Sequence, residues 1–94
     1  MEIAVYDTYV PRPDGRVMHF DVLVPAADHT LAQVLVYARL YLASKGLPNL
    51  GLDAQACHFC HTEYAAPGAR QAIEQAGYAI IELAHCQPAS PVSR

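Results

Sequence analysis

Along residues 2 to 10, "EIAVYDTYV", apolar and polar side chains alternate, with Ile3, Val5 and Tyr9 on one side. The stretch "RVMHFDVLVP" at 16–25 repeats the pattern with Met18, Phe20, Val22 and Val24. A period of two marks a strand with one covered face. Between the two runs, "PRPDG" brings two prolines that fix φ and an Asp-Gly pair, so the runs are the arms of a hairpin that Pro25 ends. Pairing them so that the large apolar residues gather on one face sets Tyr6, Thr8, His19 and Asp21 on the other. That register turns Asp7 toward the core.

Further on, the period changes. Thr30 and Gln33 form a capping-box pattern, and Leu31, Val34, Leu35, Ala38 and Leu42 recur at helical spacing until Gly46 and Pro48. Val36, Tyr37, Leu40 and Tyr41 widen the stripe until this helix is apolar nearly all round. Two readings stay open for it: burial between sheet and loops, or a homodimer contact through helix 30–45. "GLPNLGLDAQ" reads as loop and "ACHFCHTEYA" as a short strand with a polar end. Pro67 opens a second helix through Ala69, Ile73 and Ala76 that Gly77 stops. "YAIIELAHC" is rich in β-branched residues and suits a buried final strand. The expected domain is 1–86, followed by a disordered tail at 87–94, "QPASPVSR".

The element order is ββαβαβ, an N-terminal hairpin followed by two crossover units. Right-handed crossovers set strands two, three and four parallel, which gives an α+β fold, an α/β two-layer sandwich with a mixed four-stranded sheet and helices mostly on one face.

Composition narrows the function classes. Ninety-four residues with 53% hydrophobic and 16% charged side chains are apolar for a small body, which favours a partner subunit. The net charge of −3 comes without a basic run, so no nucleic-acid partner is expected. No apolar stretch has the length of a membrane span, so no membrane partner is expected either. The start "MEIAVYDTYV" lacks the basic, then apolar, pattern of a secretory signal, and three cysteines make no disulfide framework. A cytoplasmic setting with reduced thiols is the expectation.

Sites on parallel strands collect beyond their carboxyl ends. On the expected topology that rim gathers Cys60 and His61, then His85 and Cys86, with Asp28 and His29. "CHFCH" matches the haem-attachment pattern, but the export signal is missing and Met18, the internal methionine, sits mid-strand, so no haem is expected. Zinc suits the residue types better: Cys57, Cys60 and Cys86 are soft donors, and His61, with His85 or His29 as further candidates, can complete a tetrahedral set. It requires a knuckle, because a regular strand points Cys57 and Cys60 to opposite faces. A Cys57/Cys60 dithiol is the third reading, although no helix N-terminus follows to stabilise a thiolate. The fourth is packing, with the cysteines as small core residues. A secondary polar cluster of Tyr6, Thr8, His19 and Asp21 offers His19 as a general base, or only a solvated pair.

Taken together, "IAVYDTYV", "GRVMHFDVLVP", "YLASKG", "CHFCH" and "GYAIIEL" followed by Cys86 resemble the bacterial family DUF2024 from about Glu2 to Cys86. The resemblance implies a compact α/β domain with no established activity, and a shared pattern at Cys57, Phe59, Cys60, His61 and Cys86. The leading expectation is a zinc-binding domain, structural or sensory, on Cys57, Cys60, His61 and Cys86. A thiol-disulfide protein is the runner-up, and a non-catalytic dimeric interaction module lies beneath both.

Overall fold

The computed structural model describes residues 1–47, 52–53 and 55–88. Its elements are β1 (Glu2–Pro11), β2 (Val17–Pro25), α1 (Leu31–Ser44), β3 (Cys57–Tyr64), α2 (Pro67–Ala76) and β4 (Ala79–Ala84). The α+β class and the element order are those expected from the sequence. Parts of the loop at 46–55 (residues 48–51 and 54) and of the tail at 87–94 (residues 89–94) lie outside the described residues.

The sheet order is β3-β1-β2-β4, and every neighbouring pair is antiparallel. The expectation of a mixed sheet is therefore corrected. β2 and β3 do run in the same direction, as a crossover requires, but β1 lies between them, and β4 runs opposite to both. No carboxyl rim of adjacent parallel strands forms.

The helices are also divided rather than shared by one face. Antiparallel pairing sets Ala4 opposite Val24, Tyr6 opposite Val22, Thr8 opposite Phe20 and Val10 opposite Met18. These form one core with Val34, Ala38, Tyr41 and Leu42 of α1, where the Phe20 and Tyr41 rings lie 4.6 Å apart. The alternate residues Ile3, Val5 and Leu23 pack on the other face against Ile73 of α2 and Ala79. Ile3, Ala4 and Val5 are consecutive and all buried, because β1 is covered on both sides.

Local chemistry explains the boundaries. Thr30 caps α1: its hydroxyl accepts from Gln33 N–H while Gln33 Oε1 accepts from Thr30 N–H. α2 starts on Pro67 and ends at Gly77, whose φ of 91° suits a residue without Cβ. β4 is not the buried strand that its β-branched residues suggested. It forms a sheet edge, with Ile81 and Leu83 exposed.

Candidate metal centre

The hairpin register differs by one residue from the sequence expectation. Asp7 pairs with Asp21 and Tyr9 with His19, so these four share the α2 face, on the stretch of sheet next to the part that α2 covers. Tyr6 and Thr8 point the other way, and the expected cluster of Tyr6, Thr8, His19 and Asp21 is split. The physical reason is the double coverage of β1: gathering large apolar residues on one face is a valid guide only where a single face is buried.

Asp7 takes the place of Tyr6 and Thr8. The ligand atoms of Asp7, His19 and Asp21 all lie within 4.8 Å of one another, the one such trio among the described residues. His19 Nε2 is 3.4 Å from Asp7 Oδ1, and its ring stacks on Tyr9 at 4.1 Å. Asp21 Oδ1 is buried without a hydrogen-bond partner. Burial and the neighbouring Asp7 carboxylate push the Asp21 carboxyl up to about 6. The hydrogen bond shared with Asp21, helped by His19, holds Asp7 below its ordinary value. Among the described residues no Lys or Arg forms an ion pair with either carboxylate.

The C-x-x-C-H stretch is divided between the two faces. Cys57 opens β3 opposite Thr8, in the α1 core, and its Sγ accepts from Thr8 Oγ1 at 3.3 Å. A bulge follows: Val5 pairs with His61 and Tyr6 with Phe59, which leaves Cys60 unpaired. The bulge turns Cys60 to the same side as His61, within hydrogen-bonding reach of Asp7. His61 Nδ1 is 3.1 Å from Cys60 Sγ, and its Nε2 is 2.6 Å from Glu63 Oε1. The other candidates lie elsewhere. Cys86 is in the α1 core, donating to the His19 carbonyl at 3.2 Å. His85 is exposed at φ 54°, its carbonyl held by Arg12 Nη1 at 2.8 Å. His29 uses both ring nitrogens, Nδ1 donating to the Pro25 carbonyl at 2.7 Å and Nε2 accepting from the Tyr6 hydroxyl at 2.8 Å.

The structure thus separates Cys57 and Cys86 from Cys60 and His61 by the thickness of the sheet, and the expected four-residue zinc set is not assembled. The dithiol reading meets the same obstacle. Three strand residues span roughly 10 Å, beyond the separation that a disulfide bridges. Neither thiol is activated. Burial pushes Cys57 up, and partial desolvation followed by the negative charges of Asp7, Asp21 and Glu63 does the same to Cys60.

Sequence reasoning named His19 and Asp21 but missed Asp7. The signal was present in the parity of the two arms, since Asp7 and Asp21 both stand at odd positions with Ile3, Val5 and Leu23.

Comparison with known proteins agrees with the fold and adds no chemistry. The NMR structure of protein NE1680 from Nitrosomonas europaea, a structural genomics target, is 39% identical, with a TM-score of 0.80 over 93% of this chain and 100% of that one. No curated protein matches the chain. The model of the family described as Domain of unknown function (DUF2024) matches residues 1–83, and the chain belongs to that family.

Proposed function

We propose that this domain binds a divalent transition metal, zinc foremost, through Asp7, His19 and Asp21. The observation that carries the reading is the trio itself: two carboxylates and an imidazole converge within 4.8 Å, and one buried carboxylate oxygen has no partner. Two adjacent carboxylates without a Lys or Arg repel each other, and a dication relieves that repulsion while satisfying the orphaned oxygen. Imidazole with carboxylate donors suits zinc and manganese, and three protein ligands leave positions open for water or a ligand. Cys60, which interacts with Asp7, is a further donor on this face and favours the softer ion.

Calorimetric titration of the purified protein with zinc tests this. Asp21→Asn is expected to abolish binding, whereas Cys86→Ser retains it. The reverse pattern would return the site to the cysteines. Self-association through the outer side of α1 is a separate proposal, supported by the exposure of Val36 and Leu40. Sedimentation of Leu40→Lys beside the wild type tests it: a dimer in the wild type and a monomer in the variant is the expected result.

A further inference from the structure

Beside the carboxylate pair, on the same face, a cleft of about 230 Å³ opens between the sheet and α2. Ile3, Val5 and Leu23 of the sheet, Ala69 of α2 and Ile81 of β4 supply apolar lining, and Asp21 and Glu63 are its carboxylates. Asp21 belongs both to this cleft and to the trio with Asp7 and His19. We infer that the cleft binds a small molecule with a short aliphatic body and an oxygen-donor head of the carboxylate or hydroxamate type, the head ligating the metal at Asp21.

The inference rests on the metal reading above, and the chemistry follows from the shared residue. An apolar cleft with a few convergent polar groups is the usual form of a small-molecule site, and this one is small by that standard, which limits the body to a short chain. Among the described residues no Lys or Arg lines it, so an anionic head meets no Lys or Arg there. A metal held by three side chains supplies that charge and has positions to spare. Glu63 does not stand as a free opposing charge, because His61 Nε2 holds its Oε1 at 2.6 Å. Each methylene laid against Ile3, Val5, Leu23 and Ile81 leaves water, so the body adds affinity that the head alone lacks.

The test uses zinc-loaded protein and two probes with one head, hexanohydroxamate and acetohydroxamate, in calorimetric titrations. The expected result is that the longer probe binds at least about tenfold more tightly. Ala69→Leu, which fills the cleft, should erase that advantage, and Ile81→Ser, which removes an apolar wall at an exposed edge, should reduce it. Zinc binding followed by equal affinity for the two probes, or by none for either, overturns the cleft inference and leaves the metal reading standing. A protein that takes up no zinc overturns both.

Discussion

The two faces of one sheet, built from the same four strands, hold opposite chemistries. Toward α1 the centre of the sheet is dry, and Met18, Phe20, Val22 and Val24 are wholly buried along β2. Toward α2 only half is covered: Ile3, Val5 and Leu23 lie under the helix, and beyond them Asp7, Asp21, His19, Cys60 and His61 gather. The fourteen-residue helix keeps water from the β2 side chains beneath it, while Phe59 at the β3 edge of that face stays exposed, and the ten-residue helix leaves the polar stretch of its own face uncovered. Polar groups that need a ligand or water can persist only there. The same residue type then means different things by parity: Cys57 is packing, and Cys60 borders a site.

The sharpest way to break this division is to open the dry face. Phe20→Ala removes a wholly buried ring that packs on Tyr41, and a loss of about 3–5 kcal/mol in urea unfolding is expected. A loss of less than about 1 kcal/mol would mean that the α1 face is not the main core.

The two cysteines sharpen the comparison directly. Cys57→Ser buries a hydroxyl in the α1 core, where the Thr8 hydroxyl is its hydrogen-bond partner, and should cost about 1–3 kcal/mol. Cys60→Ser changes an exposed bulge residue and should stay within about 0.5 kcal/mol. Equal effects on thermal unfolding would contradict the split of the motif.

Gly77 tests where the covers of the two faces meet. A Cβ there would lie 2.7 Å from the Tyr37 hydroxyl of α1, and Tyr37 stacks on Tyr78 at 4.4 Å. Positive φ alone makes Gly77→Ala cost about 1–2 kcal/mol. The contact adds to this, and a lowered melting temperature with loss of the Tyr37 and Tyr78 ring-stacking shifts in NMR is the expected outcome.

Much of the fold was legible because its punctuation is local. Pro67, Gly77 and the Thr30 and Gln33 box set their helix ends by chemistry within a few residues. Strand partners were less so. Periodicity reports that a strand is covered, but not by which neighbour, and nothing in "CHFCHTEY" announces that β3 crosses over to pair with β1. The site was half legible for a related reason. His19 and Asp21 stand out as polar positions in an apolar arm, but Asp7 lies on a doubly covered strand where alternation loses its meaning. The bulge at Cys60 was invisible, since a single unpaired residue leaves no compositional mark.

The smallest expected effect is also the most specific to the half-open face, because it turns on sign. Burial, then Asp7, raise the Asp21 carboxyl from its ordinary 3.8 to about 6 in the folded chain. Between those values the folded state holds a proton that the unfolded state has released, so the metal-free protein loses stability as pH rises across that window. Asp7 acts in the opposite sense in a different window: lowered chiefly by its hydrogen bond with Asp21, it stabilises the fold above 3.8 and loses that contribution as pH falls below it. Asp21→Asn should therefore remove the decline between 3.8 and about 6 and leave the acid limb in place. Zinc should act in the reverse direction. Its ligands must be deprotonated, so the zinc-induced rise in melting temperature grows as pH climbs through about 6. Urea midpoints measured against pH for the two proteins, with and without zinc, check each sign. A wild-type curve that climbs between 3.8 and about 6 without metal would show that the carboxylate pair is not strained, and would remove the reason for a cation to sit there.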